Sequence, residues 1–304
     1  MKLQVCNNGF DLQKNYISVV QYSPDEDYVA KVAILPLKYD YPNQYWDTVI
    51  AELKGLKKGF KFFSSQVACS LPCEHSVVKK IVVDWNEKKI DQVLEWELSQ
   101  QIISPLKDYS YDFQPINESD RSEKAFLMVA FRNQMIEQLN VSFKPIKLKP
   151  SIIDLDAFAL INIFEKNYPE MVPVPVIIIH GEEHRTKLIL TVNGNYLDSV
   201  FFDHNSEQLE SEFYRGKISD LVNQLAALNQ NQISKTMPCL FLAGSLFTNQ
   251  EKLSELSSLK PEPELLDPFR KVNCQVGDES QLKGYSAQLA VAAGLALRGN
   301  EENV

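Results

Sequence analysis

His180-Gly181-Glu182-Glu183-His184 is the segment whose residue types come nearest to a reactive site, with two imidazoles and two carboxylates in adjacent positions. Such groups are the usual ligands of zinc, and zinc proteases present them as HExxH on one helical face. Here the glutamate does not directly follow the first histidine, and the flanking residues read as strand and turn. The two imidazoles therefore need not share a face, and a polar loop is the favoured reading. His75 and His204 stand apart and read as surface residues. Ser70, Ser104 and Ser151 lack the GxSxG setting that makes a serine a nucleophile. Neither GxGxxG nor a Walker lysine loop is present. The five cysteines, Cys6, Cys69, Cys73, Cys239 and Cys274, form no CxxC pair. They lie in or beside apolar, strand-like segments, so buried reduced thiols are expected.

The 304 residues are 44% hydrophobic and 23% charged, with a formal net charge of −9. That balance is ordinary for a globular chain of two domains or one bilobal unit. The negative charge argues against nucleic acid or an anionic membrane as partner, since either needs a basic patch. The N-terminal residues hold no apolar run suited to a signal peptide. No stretch reaches the ~20 apolar residues that span a bilayer. A cytoplasmic chain is expected.

Two halves repeat one order of elements: three strands, a helix, a strand. In the first, strands are expected at Leu3–Leu12, Tyr16–Tyr22 and Tyr28–Pro36 from β-branched and aromatic residues. A helix at Asn43–Leu53 follows, because Trp46, Val49, Ile50 and Leu53 lay one apolar stripe, and Gly55 and Gly59 end it. Val67–Leu71 is the next strand. In the second half, strands are expected at Val174–His180, Lys187–Val192 and Tyr196–Phe202. Asn193-Gly194 is a two-residue hairpin signal, since both residues tolerate positive φ. A helix at Ser219–Leu228 and a strand at Pro238–Leu242 complete the copy. Between the halves, Ser76–Lys149 reads as an insertion. It carries a helix at Ile90–Ile103, a short helix at Met135–Asn140, and strands at Val77–Val83, Tyr109–Ile116, Ala125–Phe131 and Val141–Leu148. Lys149-Pro150 is its exit. Trp96 lies off the apolar stripe of its helix, and packing against a strand or facing a partner are both open.

Leu94–Gln114 reads LEWELSQQIISPLKDYSYDFQ. Trp96, Glu97, Gln100, Gln101, Ile102, Pro105, Leu106, Asp112 and Gln114 fall on the pattern WEAxQxIPxPLxxxxxDxQ. This resembles the type IV pilus assembly protein PilM family. Ser70–Val83 resembles the family's entry to an inserted subdomain, Ser151–Phe164 its VDxExFALxRxF helix, and Tyr285–Gly299 its closing AxAxGLALRG helix. Asp267-Pro268-Phe269 precedes that helix, so the resemblance runs from about Gly9 to Gly299. It implies an α/β, actin-like (ribonuclease H-like) duplicated bilobal fold with a small α+β subdomain inserted, as in the cell-division protein FtsA. The expected divisions are 1–75 for the first half, 76–149 for the insertion, 150–173 for the return and 174–304 for the second half, whose upper subdomain is shortened.

The resemblance also implies two hairpin loops that grip phosphate. Glycine there lets backbone N–H groups approach the anion, and Asp holds the waters of Mg²⁺. Against the family's GIDIGSSSIKVVEL, residues Gly9–Tyr22 keep Asp11 but place Gln13 for glycine, Lys14, Asn15 and Tyr16 for the hydroxyls, and Ser18 for the lysine. Lys14 is a replacement phosphate clamp or a solvated turn lysine, the second being favoured. The second loop keeps Gly181 without a preceding acid and adds Glu182 and Glu183, whose charge opposes phosphate. The third keeps Ala243-Gly244-Ser245, and Asp203-His204-Asn205-Ser206 replaces the family's later Gly-Gly. Any nucleotide would meet Asp11, Lys14, Gly181, Gly244 and Ser245. These departures point to no catalysis and no cofactor, with ATP and Mg²⁺ as the alternative.

In function, the resemblance implies a cytoplasmic scaffold or adaptor of a type IV pilus-like or type II secretion-like assembly. Family members hold the N-terminal peptide of the membrane protein PilN between the first half and the insertion, and contact the cytoplasmic motor. Self-assembly stays open. An active ATPase with an altered site and the cytoplasmic domain of a GspL-like secretion protein are the alternatives.

Overall fold

Two hairpin meanders, each rich in β-branched residues, set the architecture in the computed structural model. The structure describes residues 6–56, 60, 66–71, 76–84, 86–116, 123–209, 212–233, 237–274, 282 and 284–298. Cys73, His75, Gly59 and Gly299 fall outside these. In the first meander, β1 (Asn7–Leu12), β2 (Tyr16–Ser23) and β3 (Tyr28–Pro36) pair antiparallel. After α1 (Tyr45–Leu56), β4 (Val67–Leu71) returns parallel to β1.

The insertion then builds its own sheet from β5 (Ser76–Asp84), β6 (Tyr109–Ile116) and β7 (Glu123–Arg132), in the order β5-β7-β6. Helix α2 (Ile90–Ser99) covers one face, packing Leu94 and Leu98 on Ile81, Val83, Met128 and Ala130. Alternation along the strands decides which residues meet the helix and which face away. Helix α3 (Asn133–Phe143) leads back to β8 (Ile152–Leu155), parallel to β4, and to α4 (Asp156–Asn167).

The second meander comprises β9 (Val176–Glu182), β10 (Arg185–Val192) and β11 (Asn195–Asp203). Its β10–β11 turn has Asn193 at φ 52° and Gly194 at φ 74°, the geometry the dipeptide predicts. After α5 (Ser206–Leu209), α6 (Glu212–Leu228) and α7 (Gln230–Ile233), β12 (Cys239–Ala243) lies parallel to β9. Helix α8 (Gln250–Leu256) precedes the short β13 (Glu264–Leu265) and β14 (Asn273–Cys274). The sheets run β14-β3-β2-β1-β4-β8 and β11-β10-β9-β12-β13. Apart from β14, which crosses from the second half to pair with β3, the two orders match strand for strand.

Between the sheets lie α4 and α9 (Ala290–Leu297), in one apolar cluster with Val20, Tyr22, Val176, Ile178 and Phe241. Seven consecutive residues of α9 are buried, which is why it reads as alanine and glycine with no polar face. A Cβ on Gly294 would sit 1.8 Å from the Ala159 carbonyl oxygen, and one on Gly9 2.0 Å from that of Ala292. Small residues are thus required where α9 meets α4 and β1.

Several expectations are corrected. Val141–Leu148 is not a strand: α3 runs to Phe143 and a 3-10 turn spans Lys144–Ile146. Its apolar residues follow helical spacing, with Leu139 and Phe143 buried one turn apart beside Ile146. Helix α2 stops at Ser99 instead of Ile103, and α6 starts at Glu212. Trp96 is 60% exposed, so much of its side chain is open to solvent. Of the thiols, Cys69 is buried, while Cys6, Cys239 and Cys274 are half-buried; all four are free. His204 is a buried residue and not a surface one. Its Nε2 lies 3.0 Å from Thr186 Oγ1, which also meets Tyr214 Oη at 2.9 Å, and burial pulls its pKa down.

Candidate functional site

Three backbone turns converge at the carboxyl ends of parallel strands: β1 into β2, β9 into β10, and the exit of β12. Crevices at such ends are where open α/β sheets place their ligands. Asp11, at the end of β1, is fully buried. It accepts from Ser70 Oγ of β4 at 2.7 Å and from Gln13 Nε2 at 3.0 Å. Burial pushes its carboxyl up to about 7, although the charge of His180 and the Ser70 hydrogen bond pull the other way.

Glu182 is the hub of the convergence. Its Oε1 accepts from Tyr16 Oη at 2.8 Å and from the Ser245 N–H at 3.2 Å, and lies 3.1 Å from His180 Nε2. Its Oε2 accepts from Ser245 Oγ at 2.5 Å. Burial, then the negative charges of Glu182 and Asp11, push the Tyr16 phenol well up, so it keeps its proton and donates. Burial pulls His180 down, but the hydrogen bond and charge of Glu182 and the charge of Asp156 carry it above its ordinary value. Beside the hub, Asn15 Nδ2 donates to Glu183 Oε2 at 2.6 Å.

A second link crosses the halves more deeply. Lys187 of β10 pairs with Asp156, the first residue of α4, both side chains 3% exposed. Burial pushes the Asp156 carboxyl up, and the charges of Lys187 and His180 bring it below the ordinary carboxylate value.

The five residues expected to meet a nucleotide are not equivalent. Asp11, Gly181, Gly244 and Ser245 come together around Glu182, whereas Lys14 stands exposed at its turn. The space beside Gly181 holds the Phe247 ring, 2.7 Å from where a Cβ would lie. Gly244, at φ 103°, would place a Cβ 2.4 Å from the Gly181 carbonyl oxygen and 2.8 Å from Glu182 Oε1. His180 lies buried beside Glu182 and His184 half-exposed beside Glu183, so the two imidazoles meet different carboxylates. Tyr16, Ser70, Asp156 and Lys187 were missed as site residues. Lys187 had a signal, a cation directly before the apolar run Leu188–Leu190 in an expected strand.

In front of this network opens a cleft of ≈ 920 Å³, walled by Tyr39, Tyr45 and Trp46 of one half and Arg185, Phe201 and Asp203 of the other. A second groove, of ≈ 360 Å³, runs between the open face of the inserted sheet and β8. Val129, Phe131, Ile153 and Phe158 give it an apolar floor, with Asp112 and Gln114 along β6. Arg298 Nε donates to Asp154 Oδ2 at 2.6 Å on the same wall. β6 and β8 are each the last strand of their sheet. Among the described residues, no helix is long and apolar enough to cross a membrane.

No curated protein matches the chain. Among solved structures, the PilM–PilN type IV pilus biogenesis complex is similar, with a TM-score of 0.80 at 17% identity, over 99% of this chain and 100% of that one. A protein of actin-like ATPase fold from Bacteroides thetaiotaomicron gives 0.54 at 11%, over 89% and 93%. The cytoplasmic domain of EpsL, an inner-membrane component of the type II secretion system of Vibrio cholerae, gives 0.53 at 10%, over 97% and 94%. These likenesses show the actin-like fold. Residues 9–175, more than half of the chain, match the family described as type IV pilus assembly protein PilM, and to that family the chain belongs.

Proposed function

We propose that this chain is a cytoplasmic scaffold of a type IV pilus-like or type II secretion-like assembly. On this reading it captures the N-terminal peptide of a PilN-like membrane protein and does not hydrolyse ATP. The observation that carries it is the groove between β6 and β8, an apolar trough flanked by two strands that each end a sheet. An extended peptide suits such a site, because main-chain hydrogen bonds to a strand edge give affinity while apolar pockets select alternate side chains. The fold-level match to a structure described as a PilM–PilN complex supports the choice of partner. The partner would then tether the chain to the inner membrane.

Nucleotide fits the cleft poorly. The carboxylate of Glu182 lies among the three turns, tied to both halves, and Asp11 is enclosed by Ser70 and Gln13. Negative charge at that point opposes phosphate by about 1 kcal/mol per pair even in bulk water. The Asp11 and Glu182 carboxylates, which would otherwise be free for Mg²⁺, are engaged by Ser70 and Gln13 and by Tyr16 and Ser245.

Binding of a labelled peptide from the start of the neighbouring PilN-like gene, followed by fluorescence anisotropy against a scrambled peptide, tests the reading. Val129→Glu should weaken binding about tenfold or more, by placing a charge on the apolar floor. Equal binding of the two peptides would reject it. Stabilisation by Mg-ATP of the size ligand linkage predicts would favour the ATPase alternative.

A further inference from the structure

We propose that Glu182 occupies an oxyanion site with the chain's own carboxylate, and that removing this side chain turns the position into a binding site for inorganic phosphate. The inference concerns the cleft and does not depend on peptide capture in the groove.

The donors are those an oxyanion requires. A backbone N–H and a hydroxyl come from Ser245, a phenol from Tyr16 and an imidazole from His180, all directed at the two oxygens of one carboxylate at 2.5–3.2 Å. They belong to three separate strand ends and to both halves of the molecule. Gly244 at φ 103° lets the backbone pass close enough for the Ser245 N–H to reach the carboxylate, with a Cβ there only 2.8 Å from Glu182 Oε1. Backbone N–H groups that approach an anion over a glycine are the common element of phosphate cradles.

Charge supports the same conclusion. Lys187 is the cation next to this point, beside the His180 imidazole, and Asp11, Asp156 and Glu182 are the acids that face it. With Glu182 present, an incoming phosphate meets like charge and finds its donors engaged. With Glu182 removed, several buried donors lose their acceptor, a state that is costly until another anion arrives. A carboxylate serving only as a structural lock gives a different result: its loss weakens the fold and leaves no preference for phosphate.

The experiment uses the full chain, with Glu182→Ala as the main variant. Thermal unfolding is followed while inorganic phosphate replaces chloride at constant ionic strength, and affinity is measured by calorimetry. The parent should show no specific response. Glu182→Ala should be stabilised by phosphate, with an affinity at least about tenfold above the parent's. Adding Ser245→Ala to that variant should abolish the gain. Indifference of folded Glu182→Ala to phosphate, equal affinity of the parent, or a gain that survives Ser245→Ala would each overturn the proposal. Should Glu182→Ala fail to fold, Glu182→Ser, which is also short enough to vacate the position of the carboxylate, decides: a phosphate-specific gain upholds the site, and none overturns it.

Discussion

Tyr16 and Glu182 lie 166 positions apart, on opposite halves, and the phenol of one donates to the carboxylate of the other at 2.8 Å. The bond closes the gap between the two hairpins, beside the one that Asn15 donates to Glu183. Tyr16→Phe deletes only the donor and leaves the ring in its apolar setting. It should cost about 1.5–3 kcal/mol, the range for a hydrogen bond to a charged group. A double-mutant cycle with Glu182→Gln, read by urea unfolding, should show coupling, because the two residues touch. Additive losses would mean that the contact contributes nothing.

Asp11 predicts a pH dependence of definite sign. Its folded value, about 7, lies above the ordinary 3.8. The stabilisation is therefore complete at low pH and is lost as pH rises from about 4 through 7, since the folded state holds the proton more tightly. Asp11→Asn, an uncharged near-isostere that can still accept from Ser70, should flatten this part of the profile. It should also be more stable than the parent at pH 8, by a few kcal/mol at most. A parent profile rising across the same window would refute the assignment.

Lys187 and Asp156 form a buried pair across the halves. Lys187→Met strands a carboxylate away from water, and the expected cost is about 3–5 kcal/mol. The double variant Lys187→Met with Asp156→Asn should recover much of that loss, because no unpaired charge remains. Chemical denaturation of the three variants checks the order.

Gly294 faces the backbone of Ala159 too closely for any side chain. Gly294→Ala should lower stability despite alanine's higher helix propensity, because the added methyl forces α9 away from α4. About 1–3 kcal/mol is the scale for overpacking. A rise in melting temperature would show that the helices separate freely.

Local signals were legible wherever the determinant was local. Asn193-Gly194 specified its turn through its own φ requirements, and the resemblance at Tyr285–Gly299 pointed to the helix that forms at Ala290–Leu297. The repeated order of strands and the resemblance at Ser70–Val83, Leu94–Gln114, Ser151–Phe164 and Tyr285–Gly299 led to the architecture that the sheets display. Val141–Leu148 failed because a short apolar run fits either period, and only the packing of Leu139 and Phe143 decides between them. The hub around Glu182 was visible merely as charge hostile to phosphate. That its oxygens are held by Tyr16 and Ser245 depends on contacts between distant segments, which no window of sequence reports. His204 was misplaced for the same reason, its partner Thr186 lying on the neighbouring strand.

Helix α9 rests on β1, with Gly9 directly beneath Ala292. On the ribosome, β1 emerges long before α9 and therefore waits for that helix before its inner surface is shielded. Contacts of such long sequence separation form late. Until then the nascent chain carries the uncovered face that includes Val20, Tyr22 and Val29, and it is at this stage of biosynthesis that holding chaperones would be needed.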